Sequence, residues 1–290
     1  MAGASRGEVP VWRGIAWILL ATLLFVGTGV LAKHLTGAYP VTQVVWARYA
    51  FHLLLMLLVF RQGILGLIRD SRRPGLQVGR ALCLLAATGL SFAALARMPI
   101  ADFTALIFLG PILLTAFSVP MLGESVGTRR WIAVAVGFAG ALIIVRPGSG
   151  LFQQAAWIAV AVALFDALYT IATRSLSRTD PVLTTLAFTA AVGTLVTTLA
   201  VPVVWIAPDG QGLVLMAALG VAAGTGHFAY IKGVTIAPVS VAAPFLYAEL
   251  VWAIPVGFLA FGDFPDGWTL AGAAVVAGSG LYLLRGKRPR

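Results

Sequence analysis

Four ionisable residues stand out inside otherwise apolar stretches of this chain. Glu249 sits within Phe245-Leu246-Tyr247-Ala248-Glu249-Leu250-Val251-Trp252. Asp166 has Tyr169 three residues on, which is the same face of a helix. Arg48 is followed four residues later by His52, and His227 three residues later by Tyr230. At membrane depth such a group costs about 2.5–3.5 kcal/mol on insertion scales, so each is a candidate for function. A carboxylate there can hold a cationic group or exchange a proton with a passing solute. Tyr247, Trp252, Tyr169 and Tyr230 could supply walls that hydrogen-bond or stack on a cation. The structural alternative pairs Glu249 with Arg48 or His227 as helix glue. Arg48 itself reads best in a structural or snorkelling role near the outer surface. Metal chemistry is not expected: there is one cysteine, Cys83, and the three histidines stand on separate segments. No cofactor motif is present.

The elements that must carry these residues follow from composition. The chain has 290 residues, 60% of them hydrophobic and 10% charged, with mean hydropathy +0.97. A soluble core cannot hide that much apolar surface. Apolar runs of about 20 residues can each cross the bilayer as a helix. Ten are expected, at roughly 13–32, 42–60, 77–96, 100–121, 130–146, 154–173, 182–204, 212–231, 237–260 and 267–285. The first is of full spanning length and reads as a retained helix rather than a cleaved signal. The runs are too long and unalternating for barrel strands.

The formal charge of +10 would suit a nucleic-acid binder, but its distribution does not. Threaded through ten helices, sixteen of the 20 basic residues fall on one side. Lys33, Arg97 and Arg146 fall on the other, and Arg48 lies within a helix. The positive-inside rule then puts both termini in the cytoplasm of a bacterial inner-membrane protein, with lipid and not nucleic acid as its surroundings.

The chain also repeats itself. Ala16, Trp17, Ile18, Ala21, Leu24, Phe25 and Ala32 recur at an offset of 140 residues. Pro99 and Gly123 recur at 139, as Pro238 and Gly262. Each half, 1–148 and 149–290, would hold five helices, and an odd number inverts the second half in the membrane. Corresponding helices are interrupted in both halves, by Gly110-Pro111 and Pro120 in the fourth and by Pro244 and Pro255 in the ninth. Paired breaks of this kind point to a binding site, or to the hinges that gate it.

These features resemble the EamA-type transporters of the drug/metabolite transporter superfamily. The first half carries the likeness in Pro99-Ile100-Ala101-Asp102, Gly110-Pro111, Leu122-Gly123-Glu124, Trp131, Gly137 and Gly140. The second carries it in Ala237-Pro238-Val239-Ser240, Ala243-Pro244-Phe245, Phe261-Gly262-Asp263, Gly272 and Gly280-Leu281-Tyr282-Leu283. Ala133 departs from it, as does Asp263 opposite Glu124. The resemblance implies an all-α membrane protein with ten helices around a cavity open alternately to each side. It implies small organic solutes as cargo. Gly280…Gly286-Lys287 fails as a phosphate loop, so a proton or solute gradient is the expected drive. The expected function is export of a small polar or zwitterionic metabolite, amino-acid-like or an opine-type metallophore. Uptake of a vitamin such as riboflavin is the alternative, and a membrane-embedded lipid or glycolipid enzyme is the rival from another class. A homodimer is compatible with the sequence but not required by it.

Overall fold

The computed structural model describes residues 11–60, 63–107, 109–110, 113, 117, 128–145, 152–237, 245–246 and 248–284. The described regular structure is helical. The helices are α1 (Val11–Thr36), α2 (Val41–Phe60), a short α3 (Ile64–Arg69), α4 (Pro74–Leu95), α5 (Ile100–Ile107), α6 (Thr128–Val145), α7 (Phe152–Leu176), α8 (Val182–Ala200), α9 (Gly210–Ile236), α10 (Ala248–Phe261) and α11 (Gly267–Leu284). A 3₁₀ turn, Val201–Val204, extends α8. In hydrocarbon, unbroken apolar sequence has to satisfy its own backbone, and a helix does so within the segment. Six described helices are long and apolar enough to cross a membrane: α1, α2, α4, α7, α8 with its 3₁₀ turn, and α9. Helices α10 and α11 are shorter apolar segments. The Gly110-Pro111 break falls at the edge of the described residues, with Pro111 outside them. Pro120, Pro244 and Tyr247 also lie outside them.

Large apolar side chains face outward, among them Leu199, Val203 and Leu259, each more than three-quarters exposed. They suit lipid contact. Trp12, Trp157 and Trp268 are exposed near helix ends, as interfacial residues are.

Packing runs across the two halves of the chain. Helix α1 lies chiefly on α9, α4 on α7, α6 on α11, and α2 on both α8 and α9. Exchanging α1 with α7, α2 with α8, α4 with α9, α5 with α10 and α6 with α11 maps each of these interfaces onto another in the set, or onto that of α4 with α8. Small residues let the backbones approach. A side-chain carbon on Gly220 would collide with Phe51, and one on Gly224 with the His52 ring, so this pair is the seam of α9 on α2. Gly272 has the same relation to Ile144 and the Gly140 carbonyl, where α11 meets α6.

Candidate functional site

Between these helices lies a cavity of about 280 Å³. Six sequence candidates line it together: Arg48 from α2, Asp166 and Tyr169 from α7, His227 and Tyr230 from α9, and Glu249 at the start of α10. Gly110 lines it too. Phe25, Phe92 and Phe103 give it an apolar wall. Trp252 does not reach the cavity; it packs half-buried against the apolar core beside it. Pro255 lies inside α10, which continues through it to Phe261.

The polar groups fall into two sets. The cationic set is held largely by protein, although Arg48 Nη1 is buried without a hydrogen-bond partner among the described residues. Arg48 is 3% exposed, and its Nη2 donates to His227 Nε2 at 2.8 Å. Its guanidinium stacks 4.4 Å from the centre of the Tyr49 ring. Arg48 therefore turns inward onto a partner, which fits the structural alternative and not the snorkelling one. The pairing of Arg48 with His227 also takes up the two partners offered to Glu249 in the structural alternative.

A second arginine lies in the same network. Arg80 was expected among the charges flanking the membrane, because it stands near the start of its apolar run. It is 1% exposed. Its Nε donates to Thr173 Oγ1 at 2.7 Å, one Nη to Thr189 Oγ1 at 2.8 Å, and the other to Tyr169 Oη at 2.9 Å. It also stacks 4.4 Å from the Tyr169 ring centre. Tyr169 Oη is in turn 3.2 Å from His227 Nδ1. The chain of contacts is thus Arg80, Tyr169, His227, Arg48, across α4, α7, α9 and α2. The available signal for Arg80 was its helical position six residues after Pro74, deep enough to point between helices.

The carboxylates are the second set. Neither Asp166 nor Glu249 forms a hydrogen bond or ion pair with a described residue. Both are partly accessible rather than buried in protein. Burying an ion without a partner costs several kcal/mol. Asp166 is close enough to interact electrostatically with Arg48, and Glu249 with Asp166. Arg48, Arg174 and the two carboxylates therefore line one space, with Arg80 behind its wall, and Asp166 and Glu249 form no hydrogen bond or ion pair with a described residue.

The two ends are fastened differently. At one, Lys33 Nζ donates to Asp263 at 2.6 Å and to the Met98 carbonyl at 3.3 Å. That joins the end of α1 to the α10–α11 turn. At the other, Asp180 before α8 accepts from Ser71 Oγ at 2.6 Å, Gln77 Nε2 at 2.9 Å and the Arg72 N–H at 3.1 Å. Burial alone would raise the Asp180 carboxyl, but these hydrogen bonds outweigh it and hold the group below its usual value. The cavity lining reaches Arg174 and the exposed Ser177 on the Asp180 side.

Among the described residues no cluster of His, Cys, Asp or Glu could hold a metal ion.

Comparison with known proteins bears on this arrangement. The EamA-like transporter family matches residues 12–146 and again 153–285. The chain is 31% identical over 271 residues to a riboflavin transporter of Vibrio cholerae serotype O1, covering 91% of this chain and 90% of that one. It is 25% identical over 272 residues to an S-adenosylmethionine uptake transporter of Rickettsia felis, covering 93% and 92%. It is 27% identical over 280 residues to the pseudopaline exporter CntI of Pseudomonas aeruginosa, covering 95% and 97%. A solved crystal structure superposes with a TM-score of 0.68 over 94% of this chain and 95% of that one, at 20% identity, a likeness of fold. The chain belongs to the EamA-like transporter family, and it is a membrane transporter rather than the membrane-embedded enzyme that composition left open.

Proposed function

We propose that the protein is a secondary transporter of the bacterial inner membrane that moves a small polar metabolite by alternating access. In this reading ten helices form two inverted halves, residues 1–148 and 149–290, with both termini in the cytoplasm. The exchange symmetry of the helix interfaces and the one-sided distribution of basic residues support that arrangement. The observation that carries the function is the pair of carboxylates, Asp166 and Glu249, that line an aromatic-walled cavity and form no hydrogen bond or ion pair with a described residue. Their role is to take a cationic group of the cargo or to carry the coupling proton.

Export of an amino-acid-like compound or an opine-type metallophore is the first choice, since a carboxylate pair suits an amine-bearing cargo. Uptake of riboflavin is the second, favoured by the named function of the 31% identical relative. The two are separated in proteoliposomes loaded with candidate solutes. Proton-gradient-dependent movement of an amine-bearing compound, reduced in Glu249→Gln, is the expected result. Movement of riboflavin that ignores Glu249→Gln would replace the first choice with the second. Movement that needs ATP hydrolysis by this chain alone would remove secondary transport altogether.

A further inference from the structure

The hydrogen-bond chain along the cavity wall has a fixed direction. Arginine can only donate. Arg48 Nη2 therefore donates to His227 Nε2, which carries no proton, and the imidazole proton sits on Nδ1. Nδ1–H then donates to Tyr169 Oη. Arg80 Nη2 donates to the same oxygen from the other side. A phenolic oxygen that accepts two hydrogen bonds has one capacity left, its own O–H. That proton finds no acceptor among the described residues, and Tyr169 lines the cavity.

We propose that Arg80 and Arg48 together commit Tyr169 to donate into the cavity, so that the site reads a hydrogen-bond acceptor on its cargo beside a cation. Asp166 lies one helical turn before Tyr169 on the same face, so the two side chains start about 5–6 Å apart. A carboxylate demands a donor and the committed hydroxyl demands an acceptor. The cargo that meets both at that separation is a compact zwitterionic head, an ammonium with a carboxylate close by. Its apolar remainder faces Phe25, Phe92 and Phe103. With both carboxylates ionised they balance the two buried arginines, and a zwitterion leaves that balance unchanged. Arg80 is in this account a positioning residue: it does not meet the cargo but removes the lone pair with which Tyr169 could otherwise accept.

The inference rests on the reading that Asp166 and Glu249 receive the cargo's cation, and the test separates the two. Binding to the purified full-length protein in detergent is measured for three matched probes: phenylalanine, phenethylamine and 3-phenylpropionate. Leucine, isopentylamine and 4-methylpentanoate repeat the comparison with an aliphatic remainder. The amino acid is expected to bind roughly 10- to 100-fold more tightly than its amine, as a hydrogen bond to a charged group implies. Tyr169→Phe should bring the amino acid down to the amine and leave the amine unchanged. Arg80→Gln, which returns an accepting lone pair to Tyr169, should narrow the gap. An amine that binds as well as its amino acid in the unaltered protein overturns the inference while leaving the carboxylate site standing. That measurement needs no folded variant. A gap that survives in Tyr169→Phe overturns it too. Binding of the amine-free acid above the other two, or of none of the three, overturns the carboxylate site and this inference with it.

Discussion

The arginine side of the cavity and the carboxylate side differ in one respect: who satisfies them. Arg80 spends its donors on Thr173, Thr189 and Tyr169, and Arg48 meets His227 and the Tyr49 ring. Asp166 and Glu249 form no hydrogen bond or ion pair with a described side chain. Both kinds of charge are expensive to hold in a low-dielectric interior. A protein that supplies partners for one kind has made it part of the frame. One that leaves the other kind open and accessible has left it for something that comes and goes. Substitutions on the two sides should therefore fail in different ways.

The largest effect is expected on the open side. Glu249→Gln keeps the shape and removes the charge, and transport should fall on the order of 10- to 100-fold, the value of a charged hydrogen bond lost in the loaded state. The detergent melting temperature should move little, because no described protein contact is lost. Transport rates at matched membrane abundance measure this. Unchanged transport would break the comparison at its centre. Asp166→Asn should behave alike, with a smaller loss if Glu249 can still hold the cation.

The tied side should show the opposite pattern. Arg80→Met takes a charged donor away from the Tyr169, Thr173 and Thr189 oxygens, each of which keeps one other hydrogen bond, and a hydrogen bond to a charged group is worth about 1.5–3 kcal/mol. The melting temperature and the amount of protein in the membrane should fall together, ahead of any specific loss of transport per molecule. Arg80→Lys keeps the charge but lacks the planar fork that reaches Thr173, Thr189, Tyr169 and the Thr185 carbonyl, so it should recover only part of the stability. An Arg80→Met protein that melts like the unaltered one and yet transports nothing would move Arg80 from the frame to the cargo.

The sequence made the open side easy to find and the tied side hard. Glu249 and Asp166 stand out because an ionisable group in an apolar helix is rare, and both line the cavity; His227 stands out likewise, though it belongs to the tied side. Arg48 stood out for the same reason, but its direction did not, since a long side chain can turn to the surface or to a partner with equal ease. Arg80 was misplaced because nearness to a helix end resembles a topology signal, and Thr173, Thr189 and Tyr169 come from remote parts of the chain. Trp252 stands one turn after Glu249 on the same helix face, yet it packs against the apolar core beside the cavity, which spacing alone does not reveal. Where residues are described, most helix positions were legible from run length and from turn residues such as Pro40 and Pro181, but the short α3 was not, and the runs at 100–121 and 237–260 lie partly outside the described residues. The pairing of α1 with α9 and of α4 with α7 was not, because apolar helices carry little information on which neighbour they meet.

Asp180 sharpens the comparison from the other direction, as a carboxylate with partners. Ser71, Gln77 and the Arg72 N–H all donate to it, at the turn before α8 and outside the membrane-spanning segments. Its carboxyl is held below the usual value, so the folded state binds its proton less readily than the unfolded chain does. The stabilisation is complete above the unfolded value of about 3.9. It is lost as pH falls through the lower folded value. Asp180→Asn should thus lower the melting temperature slightly at neutral pH, because an amide nitrogen cannot accept from Ser71 or Gln77. The difference from the unaltered protein should close as the pH drops below about 4. Transport per molecule at neutral pH should be unaffected. A loss of transport as large as that of Glu249→Gln would mean that holding α4 against the α7–α8 turn is itself part of the cycle. Partnered and unpartnered charges could then no longer be sorted into frame and site.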